Sequence, residues 1–213
     1  MDTDRLEAMA EAFNEGSLTC GLEWLAGTLD LIGLAGEIQT SSGRISELVG
    51  AMKEYTYMDR AAVGEVDVIS GLKNTLTILG PRLKNVSLSQ EYEKSLPRIP
   101  GRGGELNQVW TNLLDNAIDA VDGRGSITVR TYAEGARVVV EVADDGPGIP
   151  RAAQVHVFEP FYTTKDIGDG TGLGLAIVRR IVTDHGGEIF VQSEPGETCF
   201  TVRLPRDTRQ NGG

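Results

Sequence analysis

Asn112 and Asn116 are residues whose type and spacing could do chemistry, because they stand four apart in a segment of strong helical periodicity. A carboxamide oxygen is a neutral, hard donor that suits Mg²⁺, which binds few protein ligands and keeps waters and phosphate oxygens for the rest. Asparagine is a middling helix former, so two of them inside a strong helix need a reason. We interpret the pair as a metal and phosphate site; the alternative is a solvated helix face.

A second candidate is the run Asp144-Asp-Gly-Pro-Gly-Ile149, which follows an apolar strand. An ionised carboxylate can only accept hydrogen bonds, and the exocyclic amino group of adenine offers a donor. Gly146 and Gly148 would leave space for a flat base to lie against the backbone. Ordinary turn chemistry would also explain an Asp-Gly-Pro-Gly sequence.

A third candidate is the glycine-studded segment that begins at Gly168 and runs to Leu175. Alternate glycines give up side-chain packing and let main-chain N–H groups approach a ligand closely. Apolar residues then recur at helical spacing, so the segment leads into a helix N-terminus, which attracts phosphate. The segment predicts the lid of a nucleotide site, with a flexible surface loop as the alternative.

Amphipathic helices are predicted ahead of these candidates. Residues 3–15 can form a short helix, and Leu22, Leu25, Leu29 and Ile32 mark a longer one. A second stripe runs from Ile45 to Tyr55. The spacing favours a helical hairpin that packs against a second copy of itself over one that packs on a neighbouring domain. Residues 56–65 lose the periodicity and are predicted to be a linker.

The remaining chain predicts alternating strands and helices around the candidate residues. The predicted elements are a strand Val66–Ile69, a helix from Leu72 to about Leu83, a strand Val86–Tyr92, an extended piece Leu96–Ile99, a helix Leu106–Val121, a hairpin of Ile127–Tyr132 and Val138–Val142, a helix over 172–185 and a hairpin of Glu188–Ser193 and Cys199–Leu204. This order predicts an α+β sandwich, with one mixed sheet covered by helices on one face.

Composition narrows the functional classes. The formal charge is −11, with 31 acidic against 20 basic residues, which argues against nucleic acid as a partner. The two cysteines, Cys20 and Cys199, predict neither a disulfide framework nor a zinc site. The acidic N-terminus and the lack of an apolar run of eighteen residues predict a cytoplasmic protein with no direct membrane insertion.

Four blocks, in order, resemble the boxes of the sensor histidine kinase catalytic domain, in the superfamily shared with DNA gyrase and mismatch-repair ATPases. They are Asn112-Leu-Leu-Asp-Asn-Ala-Ile-Asp-Ala120, Asp144-Asp-Gly-Pro-Gly-Ile149, Phe158-Glu-Pro-Phe-Tyr-Thr-Thr-Lys165 and Gly170-Thr-Gly-Leu-Gly-Leu175. The resemblance implies a two-layer α/β sandwich of the Bergerat type, preceded by an α-helical hairpin. It implies three segments: a partial or degenerate dimerisation hairpin over 1–60, the ATP-binding catalytic domain over 61–206 and a disordered tail over 207–213.

The resemblance also implies ATP and Mg²⁺ as cofactors and gives roles to individual residues. Asn116 would hold Mg²⁺ with Asn112 beside it, Asp144 would bind the adenine amino group, and Thr198 would help through a water. The base would lie along Gly146, Gly148 and Ile149, and Phe158 and Phe161 would anchor the lid. The phosphates would meet Thr164, Lys165, Gly170, Thr171, Gly172, Leu173 and Gly174.

The chain departs from the family pattern in its histidines. It has only His156 and His185, and neither resembles a phosphoacceptor; both are interpreted as structural, His185 at a helix C-terminus. The resemblance therefore implies a kinase that transfers the ATP γ-phosphoryl to a histidine that this chain itself lacks. It implies a homodimer through the N-terminal helices and a response regulator or phosphoacceptor-bearing partner in a phosphorelay.

Other functions are kept or set aside on particular features. A catalytically inactive, ATP-dependent sensor or scaffold and an anti-sigma-type serine kinase stay as alternatives, although the block from Phe158 to Lys165 counts against the latter. A gyrase-like ATPase would need a further transducer domain. No Gly-x-x-x-x-Gly-Lys and no Gly-x-Gly-x-x-Gly in the lid occur, so Walker-type and dinucleotide sites are excluded.

Overall fold

The computed structural model describes residues 20–34, 63–163 and 171–206. The chain divides into two compact units, Met1–Glu54 and Tyr55–Gly213. Four predicted segments lie outside the described residues: the helix 3–15, the second hairpin helix 45–55, the lid residues 164–170 and the tail 207–213. The domain boundaries stay a prediction.

The first unit contributes one described helix, α1, over residues 20–34. The predicted apolar stripe falls within it and is exposed to solvent. Its exposed apolar side chains are Leu22, Trp24, Leu25, Leu29, Leu31, Ile32 and Leu34.

The second unit alternates strands and helices much as the sequence predicts. Its elements are β1 (Gly64–Val66), α2 (Val68–Ile78), β2 (Val86–Tyr92), β3 (Ile99–Gly101), α3 (Gly103–Ala120), β4 (Gly125–Glu134), β5 (Arg137–Asp144), α4 (Arg151–Gln154), α5 (Gly174–Asp184), β6 (Glu188–Glu194) and β7 (Glu197–Pro205).

Five of these strands form one mixed sheet in the order β2-β4-β5-β7-β6. The β2–β4 pair is parallel, and the other three pairs are antiparallel. Side chains alternate across the sheet, so that Phe200, Val202 and Leu204 of β7 are buried while Thr201 and Arg203 are half-buried. The buried faces of the sheet and of α2, α3 and α5 form one apolar core. The predicted α+β sandwich is confirmed.

Helix α3 is the element that positions the two candidate asparagines. Its apolar residues recur at helical spacing, and Leu106, Val109, Trp110, Leu113 and Leu114 are completely buried. Each such side chain contributes on the order of 1.5–3 kcal/mol when it leaves water. Packing of this stripe fixes the rotation of the helix and leaves Asn112 and Asn116 half-buried at its side.

The start of the second unit differs from the prediction. The predicted strand Val66–Ile69 is wrong beyond its first residue: the strand is Gly64–Val66, whose first two residues lie in the predicted linker, and Val68 begins α2. Asp67 caps this helix by accepting a hydrogen bond from Ser70 N–H at 2.9 Å. The β-branched residues favour a strand, but the cap and the stripe of Leu72 and Leu76 favour the helix.

A two-stranded sheet was also missed. β1 and β3 pair antiparallel, with Glu65 opposite Pro100, so the prolyl residue lies inside a strand rather than after one. Both strands of such a sheet are edges, and an edge tolerates a residue without an N–H.

Membrane-spanning character is absent from the described helices. Within residues 20–34, 63–163 and 171–206, none is both long and apolar enough to cross a bilayer.

Candidate functional site

Asp144 ends β5 as a buried carboxylate, with 6% of the residue exposed. It accepts a hydrogen bond from Gly146 N–H at 3.0 Å. Burial raises the pKa of Asp144 from 3.8 to about 6; the Gly146 N–H opposes the shift, and the charge of Asp145 adds to it. A carboxylate can accept more than one hydrogen bond, so Asp144 is an ionised acceptor with spare capacity at neutral pH.

The neighbouring Asp145 has a structural role. Its side chain accepts a hydrogen bond from Ser126 N–H at 2.8 Å, and its own N–H donates to Ser126 O at 3.2 Å. These two bonds fasten the end of β5 to the beginning of β4. Asp144 and Asp145 are adjacent in sequence, but their side chains point to opposite sides of the chain and so have different partners.

A row of polar side chains continues from Asp144 across the sheet. Asp144 pairs with Thr198 on β7, and Thr198 pairs with Ser193 on β6. Thr198 is 3% exposed, and its hydroxyl lies 2.8 Å from that of Ser193. The Ser193 hydroxyl also accepts a hydrogen bond from Ile149 N–H at 2.8 Å. Together, Asp144, the loop 146–149, Ser193 and Thr198 form what we call the carboxylate end of the site.

Gln154 holds this end together. Its side-chain amide donates to Ile149 O at 2.7 Å and to Ser193 O at 2.8 Å, so it links the loop to β6. Gln154, Ser193 and the single-turn helix α4 that carries Gln154 are not predicted from the sequence. Gln154 lies 39 residues from Ser193 along the chain, so no local sequence pattern predicts the hydrogen bond between them.

The two glycines of the loop are required by packing within the protein. Gly148 has φ +83°, and a Cβ there would lie 2.4 Å from Glu194 O. A Cβ on Gly146 would lie 2.7 Å from an Asp144 oxygen and 2.9 Å from Ala120 O. Gly196 N–H donates to Gly146 O at 3.1 Å, so the loop is fixed to the β6–β7 turn. The predicted contact with a flat base stays a prediction.

The second group of candidate residues lies where α3 meets the start of α5. A Cβ on Gly174, the first residue of α5, would lie 3.6 Å from Asn112 Oδ1. Asn112 Nδ2 is buried, with no hydrogen-bond partner in the described part of the chain. No side chain of the described residues caps the first turn of α5. We call Asn112, Asn116 and residues 171–174 the amide end; its donors are those that a phosphate would accept from.

The segment that enters the amide end is fixed by backbone contacts. Phe161 N–H donates to Gly172 O at 2.9 Å, and both residues have positive φ, +68° and +66°. A Cβ on Gly172 would lie 2.4 Å from the Phe161 carbonyl carbon, so only glycine fits there. Phe158 packs edge-on against Phe200, whereas the Phe161 side chain is exposed. Phe161 therefore anchors this segment through its backbone.

Of the remaining predicted site residues, Thr171 and Leu173 lie at the amide end, where Leu173 N–H approaches Thr171 Oγ1 at 3.4 Å. Thr164, Lys165 and Gly170 lie outside the described residues.

Asp115 and Asp119 lie on the same polar side of α3 as the asparagines, each three residues after one of them. Both pair with Arg82, in the turn before β2.

Both histidines make structural contacts. The His185 side chain, which is 5% exposed, accepts a hydrogen bond from Arg102 N–H through Nε2 at 3.0 Å, and its Nδ1 lies 2.7 Å from Ile181 O. These partners require the neutral tautomer that carries hydrogen on Nδ1, because Nε2 must accept and Nδ1 must donate. His156 is exposed, and its Nδ1 lies 2.8 Å from Glu159 Oε1.

Comparison with known proteins agrees with this geometry. Residues 101–208 match the family model described as histidine kinase-, DNA gyrase B-, and HSP90-like ATPase. The chain is 43% identical over 129 residues to the sensory histidine kinase/phosphatase NtrB of Rhodobacter capsulatus; the match covers 54% of this chain and 36% of NtrB. The chain thus spans little more than a third of that relative.

Solved structures give the same result. The catalytic domain of the histidine kinase ThkA superposes with a TM-score of 0.63 at 30% identity, covering 68% of this chain and 96% of that domain. Full-length ShkA, solved in complex with AMPPNP, superposes with a TM-score of 0.62 at 31% identity, covering 68% of this chain and 31% of ShkA.

Proposed function

The chain belongs to the family of histidine kinase-, DNA gyrase B-, and HSP90-like ATPases, and on that premise we propose that it is the Mg·ATP-binding kinase domain of a two-component sensor histidine kinase. Its relatives include sensor histidine kinases, and ShkA was solved with an ATP analogue. In this proposal the ATP γ-phosphoryl passes to a histidine that this chain itself lacks, since His156 and His185 both make structural contacts.

The observation that carries the proposal is the buried Nδ2 of Asn112, which has no partner among the described residues, beside a start of α5 that none of those residues caps. A buried donor without a partner costs about 1–3 kcal/mol, and a phosphate oxygen would remove that cost. The first N–H groups of α5 and the helix dipole favour the same negative ligand. Asp144, an ionised acceptor, lies at the other end of the site. This arrangement suits a ligand that carries an adenine amino group at one end and phosphates at the other.

Each predicted site residue takes a role in this proposal. Asp144 accepts from the adenine amino group, Thr198 acts through a water, and Gly146, Gly148 and Ile149 line the base. Asn116 offers its amide oxygen to Mg²⁺, which when bound neutralises charge on the phosphates. Asn112 holds the phosphates, together with the segment of Thr164, Lys165, Gly170, Thr171, Gly172, Leu173 and Gly174. The protein contributes mainly positioning and charge neutralisation to phosphoryl transfer.

The remaining chain supports a dimer in the same proposal. The exposed apolar side chains of α1, among them Leu22, Leu25, Leu29 and Ile32, would pack against a second copy. A response regulator or a phosphoacceptor-bearing domain is the proposed partner, and the cytoplasm the proposed location.

The test is calorimetry with a nonhydrolysable ATP analogue, with and without Mg²⁺, on the wild type and on Asn116→Ala. We expect micromolar, Mg²⁺-assisted binding that loses its dependence on Mg²⁺ in Asn116→Ala. Asn85→Ala, in the exposed turn before β2, is the matched control and should behave as the wild type. No binding by the folded wild type would contradict the proposal.

Phosphoryl transfer separates the alternatives. The chain is incubated with labelled ATP and a separate histidine kinase domain that carries the acceptor helix. Acid-labile phosphate on that domain supports the kinase, and acid-stable phosphate on a serine of a partner supports the serine kinase. Binding without transfer to any acceptor supports the sensor or scaffold. Acid-labile phosphate on this chain alone would contradict the proposed missing acceptor.

A further inference from the structure

Arg82 lies in the turn between α2 and β2 and pairs with two carboxylates of α3. Its Nη1 donates to Asp115 Oδ1, and its Nη2 donates to Asp119 Oδ1. The turn is held by buried Leu79 and Leu83, and Arg82 N–H donates to Leu79 O at 2.9 Å. One guanidinium group therefore bridges two acidic residues that share one side of the helix.

These two carboxylates stand beside the asparagines of the amide end. Asp115 lies three residues after Asn112 on α3, and side chains at this spacing are neighbours on a helix. Asp119 has the same relation to Asn116. The proposed function assigns the phosphates and Mg²⁺ to these amides, so both acidic side chains lie next to the path of an anionic ligand. Because Arg82 pairs with them, the three groups together carry one net negative charge rather than two.

The pairing matters more for a charged ligand than for the fold. The side chains of Arg82, Asp115 and Asp119 are 45%, 35% and 36% exposed, and ion pairs with so much exposure contribute little to stability. The electrostatic interaction with a ligand, in contrast, grows with the charge that the ligand carries. Without Arg82, a triphosphate that approached Asn112 would meet one more unit of negative charge.

We propose that Arg82 is a positioning residue for the phosphates: by pairing with Asp115 and Asp119, it lowers the negative charge of the α3 surface and lets a triphosphate reach the amide end. The inference rests on the proposed function, since it concerns the phosphate end of the same site. Arg82 acts through the two carboxylates in this proposal, and not through a contact with the nucleotide.

The test is calorimetry at low salt with three ligands that differ in charge. Adenosine has no charge, the Mg²⁺ complex of a nonhydrolysable ATP analogue has an intermediate one, and the same analogue in EDTA has the largest. In Arg82→Gln, we expect affinity to be unchanged for adenosine, about twofold lower for the Mg²⁺ complex and about fivefold lower for the metal-free analogue. Both losses should shrink in about 0.5 M salt, which screens exposed charges. Arg82→Lys keeps the positive charge and should retain most of the affinity.

Arg137→Gln is the matched control. Arg137 pairs with Glu188 and begins β5, whereas Asp144 ends that strand roughly 20 Å away. The variant therefore removes the same charge and an exposed ion pair at a distance from the site. It should bind all three ligands as the wild type does.

A triple variant separates this action from a direct contact. Arg82→Gln combined with Asp115→Asn and Asp119→Asn removes all three charges, so it should bind the metal-free analogue at least as tightly as the wild type. A triple variant as weak as Arg82→Gln, an equal loss for adenosine and the analogue in Arg82→Gln, or no loss for any ligand would overturn this inference alone. A folded wild type that binds neither adenosine nor the analogue would overturn the proposed function as well.

Discussion

The carboxylate end and the amide end of the site differ in how far the protein satisfies their polar groups. At the carboxylate end, Ser193, Thr198, Gln154 and the loop 146–149 are hydrogen-bonded to one another. At the amide end, Asn112 Nδ2 has no partner among the described residues and no side chain caps α5. The first end is thus preorganised by the fold, whereas the second is completed by its ligand. We therefore expect mutations at the carboxylate end to change the stability of the unliganded protein, and mutations at the amide end to change mainly ligand binding.

The largest effect should come from Asp144, the one ionised group of the carboxylate end that the fold does not itself neutralise. Asp144→Asn replaces an acceptor-only group with an amide that also carries donors. We expect affinity for an ATP analogue to fall roughly 100-fold or more, because the adenine amino group then faces donors. The unliganded protein should become more stable at pH 8 by about 1–3 kcal/mol, because burying a carboxylate is costly. Calorimetry and thermal unfolding measure the two changes.

The pH dependence of this stability difference follows from the pKa of Asp144. The folded-state pKa, about 6, is above the ordinary value of 3.8, so the fold favours the protonated form. The advantage of Asp144→Asn should therefore be absent below about pH 4, grow as pH rises to 6 and stay constant above it. Wild-type affinity should fall about tenfold from pH 7 to pH 5, as the acceptor is protonated. Asp145→Asn is the control variant and should still bind the analogue in a pH-dependent way. Binding by this variant that no longer changed with pH would contradict the assignment of the titrating group to Asp144.

Two glycine substitutions compare the ends directly by their effect on stability. Gly148→Ala introduces a Cβ 2.4 Å from Glu194 O at a φ of +83°, so it should destabilise the unliganded protein by about 2–3 kcal/mol. Gly174→Ala meets Asn112 only at 3.6 Å and adds a better helix former, so it should change stability by less than about 0.5 kcal/mol. Denaturant unfolding of the unliganded variants measures both. Equal destabilisation by the two would contradict the proposed difference between the ends.

Much of this fold could be predicted from the sequence because its elements follow from local patterns. Hairpins alternate around Gly135 and Gly196, and the stripe of α3 repeats over the whole helix. The start of α2 could not be predicted in the same way, because Val68 and Ile69 favour a strand and the deciding residue is the cap, Asp67.

The residues of the site also divide into those that the local sequence predicts and those that it does not. Asn112, Asn116 and Asp144 stand in short motifs, so their types and spacing along the chain are enough to predict them. Ser193 and Gln154 could not be predicted as site residues, because a single serine in a strand or glutamine in a short helix has no local pattern that marks a function. Their partners lie 44 and 39 residues away along the chain, so these contacts form only when the loop after β5 and α4 pack against β6. Residues that hold a motif in place are defined by tertiary contacts, and local sequence carries little information about these.

The smallest change in stability with a clear change in binding should come from Asn112. Asn112→Ala removes a buried amide whose hydrogens have no partner in the described structure, so the unliganded protein should lose no stability. Affinity for an ATP analogue should fall about tenfold or more, because the lost hydrogen bond is made to a charged ligand. Calorimetry with the analogue and with adenosine separates the two ends, since adenosine lacks phosphates and should bind the variant as it binds the wild type. If Asn112→Ala instead weakened adenosine as much as the analogue, Asn112 would act by supporting the carboxylate end, and the division of the site into a preorganised end and a ligand-completed end would be wrong.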